Sequence, residues 1–313
     1  MLERTLTYRS QVPLAGLTSL KVGGNAEYLA QPRNISELVA AWQWAQAHSL
    51  PITLIGAGSN LLIHDQGLAG LVICTRQIRG AEFNPSAGTV KAVCGEPLVK
   101  LAWQCAERGW SGLQWGVGIP GTVGGMVYMN AGAQGGCCAD ILQTVEVLTP
   151  QGEVKTITAS ELDFAYRYSA LQTAKLRGYW VLSAELQLQI GFDPHAIRAQ
   201  TEQNLHKRQT TQPYHLPSCG SVFRNPYPHA AGQLIEQAGL KGFMIGRAQV
   251  SPLHANFIVN LGGATASNVY DVMRYVQETI YDQHGILLHP EVKLLGYSEN
   301  SVDILPALKG KDS

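Results

Sequence analysis

The sequence predicts an α+β chain built from two mixed units, and three observations predict it. Segments with helical spacing alternate with short apolar runs of strand character between residues 34 and 190. After Ile190 the texture turns polar and basic, in PHAIRAQTEQNLHKRQTTQPYHLP, before apolar patterning resumes. Glycine is abundant, 33 of 313 residues, and many glycines crowd between Gly109 and Gly136, which marks a passage where backbone and not side chains faces a neighbour. A chain of this length accommodates two domains and buries a core without disulfide staples. The change in texture places a boundary near residues 195–205.

Taken in order, NISELVAAWQWAQAHSL reads as a helix. Asn34 caps it, Glu37 stands where a capping box needs it, and Leu38, Trp42 and Ala45 share a face. PITLIGAGSN is a short apolar strand ending in a glycine turn. AGTVKAVCGE is a strand. PLVKLAWQCAERGW is a helix that starts at Pro97, turns Leu98, Leu101 and Cys105 inward and stops at Gly109. After the glycine-rich passage come the strands TVEVLTP, GEVKTIT and YWVLSAELQLQ. In the second unit AGQLIEQAGLKG is a short helix closed by Gly239, and HANFIVNLGG is a strand. ASNVYDVMRYVQETIYDQHG is an amphipathic helix with Val269, Val272, Val276 and Ile280 inward and Gly285 as its stop. ILLHPEVKLLG is a closing strand broken by Pro290.

Charge and cysteine usage exclude several classes. Lys plus Arg equals Asp plus Glu at 23 each, which argues against nucleic-acid binding through bulk charge. The six cysteines, Cys74, Cys94, Cys105, Cys137, Cys138 and Cys219, form no C-x-x-C pair, so no metal site is expected and they read as thiols of a reducing compartment. The N-terminus lacks a continuous apolar signal core, and no run reaches the roughly 18 apolar residues of a membrane helix. A cytoplasmic protein with no membrane partner is expected, and a monomer.

GVGIPG, from Gly116 to Gly121, spells a dinucleotide fingerprint. Its context is wrong, because GWSGLQW before it is a poor buried strand and Gly124 and Gly125 weaken a helix after it. Two separate loops read better: GAGSN, Gly56 to Asn60, and GIPGTVGGMVYMNAGA. Each is a tight strand-to-strand turn or a backbone approach to phosphate. Together, about sixty residues apart, they favour a dinucleotide with two phosphates. A third stretch, SCGSVFRNP, sets one hydroxyl, one guanidinium and one amide between the turn residue Gly220 and the stop Pro226. It is either a polar turn or a fixed proton donor beside an anion-binding residue, and Cys219 adjoins it.

The motifs TSLKVGGNAEYLAQPRNISEL, LIGAGSNLLI, GVGIPGTVGGMVYMNAGA, YRYS, GSVFRNP, HANFIVN and HPEVKL stand in the order seen in UDP-N-acetylenolpyruvoylglucosamine reductases, also called UDP-N-acetylmuramate dehydrogenases. The chain resembles that family from about Leu17 to Gly296. The resemblance implies an FAD-binding fold of the vanillyl-alcohol-oxidase (PCMH) type over residues 1–195, in two subdomains split near 75–85. It implies a C-terminal α+β substrate-binding domain over 200–285, and a strand and tail over 286–313 that pack back on the N-terminal region. It further implies non-covalent FAD, NADPH as reductant, and a nucleotide-sugar substrate on the route to peptidoglycan, hence roles in cell-wall biogenesis, cell shape and division.

By the same resemblance Ser221 is the proton donor, and Arg167 and Glu291 complete the catalytic set. The cofactor contacts fall on Gly56, Ala57, Gly58, Ser59, Asn60 and Leu61. Others fall on Gly116, Ile119, Pro120, Gly121 and Thr122, and on Gly124, Gly125, Asn130 and Gly132. Tyr166, Asn225 and Arg224 face the substrate. Arg224 stands where many relatives carry Lys. The interval from Arg167 to Ser221 leaves no room for a long tyrosine-bearing loop, so the chain is similar to the shorter branch of the family. Two other readings stay open on the residues themselves: a flavin oxidase of a hydroxy acid or sugar alcohol, and a non-catalytic flavin or nucleotide-sugar module. Against the first stands the lack of a tethering histidine in either glycine loop; His64 reads as structural.

Overall fold

The computed structural model describes residues 6–298. In chain order its first elements are β1 (Arg9–Pro13), β2 (Asn25–Ala30), α1 (Ile35–Ala47), β3 (Ile52–Ile55), β4 (Leu61–Ile63), β5 (Leu68–Cys74), β6 (Ala81–Asn84) and β7 (Thr89–Val93). Next come α2 (Leu98–Ala106), α3 (Val123–Met129), β8 (Gly132–Ala133), β9 (Gly136–Cys137), β10 (Leu142–Leu148), β11 (Val154–Thr158), β12 (Trp180–Gln187) and α4 (Pro194–Thr211). The last are α5 (Ala231–Gln237), β13 (Met244–Ile245), β14 (Ala248–Val250), β15 (Ile258–Asn260), α6 (Ala266–His284) and β16 (Lys293–Leu295).

The chain forms two compact units. Unit 1 takes Tyr28–Ala57 and Gly70–Thr210 together with the chain up to Arg9. Unit 2 takes Ser10–Glu27, Gly58–Ala69 and the chain from Thr211. The boundary expected at 195–205 falls inside α4, an 18-residue helix that belongs to unit 1 up to Thr210. Only Ile197 and Thr201 of α4 are buried, which is why its sequence reads as a linker and not as an amphipathic helix.

Unit 1 is organised by an antiparallel five-stranded sheet in the order β11-β10-β12-β7-β6. Alternation on β10, β12 and β7 sends Val145, Val147, Ala184, Leu186, Val90 and Ala92 to the same core as Leu98, Leu101 and Cys105 of α2. β3 pairs with β5 in parallel, Ile52 opposite Leu71. α1 buries Leu38, Ala41 and Ala45, while Trp42 is only partly buried. Trp42 lies over Gly152, where a Cβ would meet the indole at 2.5 Å. Asn34 caps α1 by accepting the Glu37 N–H at 2.8 Å. The capping box expected from Glu37 does not close. Its carboxylate accepts the Arg33 N–H (2.8 Å) and pairs with the Arg33 guanidinium (2.7 Å), a charged donor that outcompetes the cap backbone.

Unit 2 has its own core, in which α5, α6 and the small antiparallel sheet β13-β14-β15 enclose Leu234, Ile235, Val250 and Ile258. α6 buries Val269, Val272, Val276 and Ile280, starts at the cap Thr265 and stops at Gly285 in the left-handed region (φ +66°). Asp65 accepts the Ala266 and Ser267 N–H groups at 2.7 and 2.9 Å, satisfying two donors at the start of α6. β16 returns to pair in parallel with β4, Lys293 opposite Leu61 and Leu295 opposite Ile63. That ladder holds the described part of the expected C-terminal strand; the tail expected beyond residue 298 lies outside the described residues. Among the described residues no helix is long and apolar enough to cross a membrane.

Candidate active site

In unit 2 the stretch from Ser218 to Arg224 is tied down by backbone bonds. Gly220 adopts φ +80°, a conformation that costs a side-chain-bearing residue. Val222 and Phe223, two and three residues further on, have fully buried side chains. Asn256 clamps them: its carbonyl takes the Val222 N–H (2.9 Å), its Oδ1 takes the Phe223 N–H (3.0 Å), and its Nδ2 donates to the Phe223 carbonyl (2.8 Å). Ser221 is thereby held, half-buried, between a glycine turn and an anchored pair. On the facing segment the Glu291 N–H donates to the Val222 carbonyl at 2.7 Å, and the Arg224 N–H donates to the His289 carbonyl at 2.9 Å. The backbone neighbours of Ser221 and Glu291 are therefore directly paired. Asn60, from the first glycine loop, donates through Nδ2 to the Glu291 carbonyl (3.1 Å) and accepts the Lys293 N–H (3.0 Å).

Charge gathers at this ladder. Burial, followed by the nearby Arg224 cation, pushes Lys293 down to about 8, and Glu291 opposes the shift. The Arg224 Nε is buried without a hydrogen-bond partner. Cys219 is fully buried, and burial, helped by Glu291, pushes its thiol up to about 12, so it stays protonated and inert. Burial likewise raises Cys94 and Cys105 to about 12. Asn225, expected at the substrate, uses Oδ1 to accept the Ala231 N–H at 3.0 Å at the start of α5. Lys293 was not singled out from the sequence. Its place is two residues after Glu291 in HPEVKL, at the first position of β16.

Arg167 belongs to unit 1 and is built differently. It sits at φ +56°, uncommon for a residue with a Cβ, inside the Ala165–Tyr168 turn. Its Nη2 donates to the Gly132 carbonyl at 3.0 Å, and its guanidinium lies 5.1 Å from the ring centre of the exposed Tyr166. The buried Asn130, itself left-handed at φ +42°, donates to the Ala165 carbonyl (2.9 Å) and accepts the Ala139 N–H (3.0 Å). Ser169 donates to the Tyr128 carbonyl at 2.7 Å. Asn130 and Gly132, expected at the cofactor, thus also make the platform on which Arg167 stands.

The two glycine loops meet within unit 1. A Cβ on Gly56 would lie 2.6 Å from Thr122 Oγ1, so the first loop reaches the second only because residue 56 has no side chain. Arg76 donates to the Ala57 carbonyl. Thr122 caps α3 by accepting the Gly125 N–H at 3.4 Å, and Gly125 is exposed. The Val123 and Gly124 N–H groups are taken by the carbonyls of Glu96 (3.0 Å) and Cys94 (2.8 Å). No strand leads into Gly116–Gly121; a 3₁₀ turn over Gln114–Gly118 stands there instead, whereas a helix does follow, α3, in spite of Gly124 and Gly125, because Thr122 caps it. Two bare backbone loops packed edge to edge, with Gly125 exposed, suit a group that needs close backbone approach. His64 accepts the Gln66 N–H at 3.1 Å and packs edge-on against Tyr297.

A family model described as an FAD binding domain matches residues 26–158. A second, described as the C-terminal domain of UDP-N-acetylenolpyruvoylglucosamine reductase, matches residues 212–295. A UDP-N-acetylenolpyruvoylglucosamine reductase of Synechococcus elongatus is 54% identical over 290 residues, which span 93% of this chain and 95% of that one. Its namesake in a Nostoc species is 53% identical over 288 residues, 92% of this chain and 86% of its own. The crystal structure of the reductase from Thermus caldophilus superposes with a TM-score of 0.78 at 33% identity, covering 93% of this chain and 99% of that chain.

Proposed function

The chain belongs to the UDP-N-acetylenolpyruvoylglucosamine reductase family, FAD-carrying oxidoreductases of peptidoglycan precursor synthesis, and from that premise we propose that it takes electrons from NADPH, in the cytoplasm, and reduces the enolpyruvyl group of the nucleotide-sugar to give UDP-N-acetylmuramate. The observation that carries the proposal is the ladder that joins the backbone beside Ser221 to that of Glu291 inside the part of the chain matched by the reductase C-terminal domain.

Reduction of a carbon–carbon double bond needs a hydride at one carbon and a proton at the other. When bound, the flavin supplies the hydride. Gly56–Leu61, Gly116, Ile119–Thr122, Gly124, Gly125, Asn130 and Gly132 are the residues proposed to hold it, with the Gly56–Thr122 contact supporting a bare backbone cradle. Charge that develops against the substrate carboxylate calls for a cation, and the planar Arg167 guanidinium suits both carboxylate oxygens. Ser221 gives the proton. A serine hydroxyl is a weak acid, so it must be held at the carbon that accepts the proton, and the Gly220 turn and the Asn256 clamp supply the rigidity. Glu291 is the second acid–base group, with Tyr166, Arg224 and Asn225 assigned to the substrate. A visible spectrum of the purified protein tests the reading. Anaerobic NADPH is expected to bleach the flavin, and UDP-N-acetylenolpyruvoylglucosamine is expected to restore the colour without oxygen. Bleaching that only oxygen reverses would contradict it.

A further inference from the structure

Among the described residues Glu96 is the one charged residue that is buried, and its side chain is wholly shut off from solvent. None of the roles assigned above uses that carboxylate. A carboxylate in such a place is costly unless its oxygens are partnered. Oε2 accepts the Gly80 N–H at 2.8 Å. The Lys100 ammonium, from the first turn of α2, lies 2.9 Å from Oε1 in a charge contact without hydrogen-bond alignment. Gly80 is held a second time, because its carbonyl accepts the Val93 N–H at 3.1 Å. The carboxylate therefore pins Gly80 to the segment that follows β7.

That segment backs both glycine loops within unit 1. Towards the second loop, the carbonyls of Cys94 and Glu96 take the Gly124 and Val123 N–H groups, the Leu98 N–H donates to the Gly121 carbonyl at 3.1 Å, and Pro97 bridges Thr122. Towards the first loop, Gly95 lies on a 3₁₀ turn over Thr75–Gln77, so close that a Cβ would collide with the carbonyls of Thr75 and Ile78. The turn in its own right holds the first loop. The Thr75 hydroxyl donates to the Ile55 carbonyl at 3.3 Å, and Arg76 donates to the Ala57 carbonyl. Gly56 against Thr122 closes the circuit. Gly80 follows the turn in sequence, so the Glu96–Gly80 bond joins the support of one loop to the support of the other. We propose that Glu96 is a positioning residue of the flavin cradle: its buried carboxylate sets the spacing of the two glycine loops. The inference rests on the cradle proposed above and adds to it a residue that acts through Val123 and Gly124.

The test titrates the full-chain apoprotein and its variants with FAD, followed by flavin fluorescence. Glu96→Ala removes both contacts and is expected to raise the FAD dissociation constant by about tenfold or more, the scale of one lost charge-assisted hydrogen bond. Glu96→Gln keeps the length and one acceptor for Gly80, and is expected to stay within about threefold of the parent. Glu96→Asp keeps the charge but loses the reach, and is expected to bind FAD more weakly than Glu96→Gln. That order decides the matter even where Glu96→Ala does not fold. A residue that served stability alone would lower the melting temperature of the apoprotein and leave the bound flavin unaltered. The second readout is therefore the visible circular dichroism of the flavin at saturating FAD. Glu96→Ala and Glu96→Asp are expected to change its bands, and Glu96→Gln to keep those of the parent. An affinity within about twofold of the parent in Glu96→Ala or Glu96→Asp, parent flavin bands in either, or a Glu96→Gln affinity as weak as that of Glu96→Asp would each overturn the inference. If the parent apoprotein takes up no FAD, the cradle proposed above fails first; uptake by the parent that all three variants match overturns this inference alone.

Discussion

The two units carry their candidate residues on opposite kinds of support. In unit 2, Ser221 and Glu291 ride on adjoining segments that meet at the Phe223–Pro290 bridge, and the bonds that hold them are mainly backbone to backbone, with Asn60 and Asn256 as ties. In unit 1, Arg167 sits in a turn at positive φ, held by the side chains of Asn130 and Ser169 and by its own bond to Gly132. A ladder fixes position at little local strain, whereas a left-handed arginine is kept only by the contacts around it. The difference suits the roles proposed for them. A weak acid such as serine must be placed closely, and a ladder does this. A guanidinium on a turn over a tyrosine ring retains the reach to meet a carboxylate.

That contrast can be broken at four places, in order of expected effect. Glu291→Gln removes a charged group and leaves the backbone bonds of the ladder intact. Turnover should fall by about 10²–10⁴-fold, the range of a positioned acid–base group, with the melting temperature nearly unchanged; a large loss of stability would make Glu291 structural. Asn256→Ala attacks the ladder itself. Two buried backbone groups of Phe223 lose their partners, and chemical denaturation should report a loss of about 3 kcal/mol. Arg167→Lys leaves the charge but cannot span two carboxylate oxygens, and kcat/KM should drop by about 30-fold, equivalent to about 2 kcal/mol. A change below threefold would leave Arg167 as a bystander to its turn. Gly56→Ala pushes a methyl against Thr122 and should weaken FAD binding by about 1 kcal/mol, measured by fluorescence titration of the apoprotein. Unaltered affinity would show that the two loops have room to move apart.

Much of the fold was legible because it rests on local pattern. α1, α2 and α6 carry apolar stripes and end signals that sequence alone displays, β7 and β10 alternate as half-buried strands do, and β12 is an apolar run buried from Val181 to Ala184. β1 and α4 were not legible because they bury almost nothing, so their sequences carry no periodic apolar signal. The discontinuity of unit 2 was hidden because it depends on Ser10–Glu27 and Gly58–Ala69 joining residues far along the chain. Asn260 donating to the Leu20 carbonyl at 3.0 Å is one such tie, across 240 residues. For the site, Ser221, Arg167 and Glu291 were named through motifs and family likeness. Their support Asn256 was not, since it acts on Phe223 by contact and does not stand out in its own motif. Asn60 and Asn130 were assigned to the cofactor from sequence, and their hydrogen bonds to the carbonyls of Glu291 and Ala165 add a second duty.

The most direct test of the central claim, that Ser221 is the proton donor on this ladder, is anaerobic stopped-flow absorbance of Ser221→Ala in both half-reactions. NADPH is expected to bleach the variant at close to the parent rate, because no proton from residue 221 is needed in that step. Reoxidation by UDP-N-acetylenolpyruvoylglucosamine is expected to fall by about 10²–10⁴-fold, short of zero, since water entering the space of the hydroxyl donates in its place. Equal slowing of both steps would make Ser221 a structural residue, and no slowing of the second would contradict the account outright.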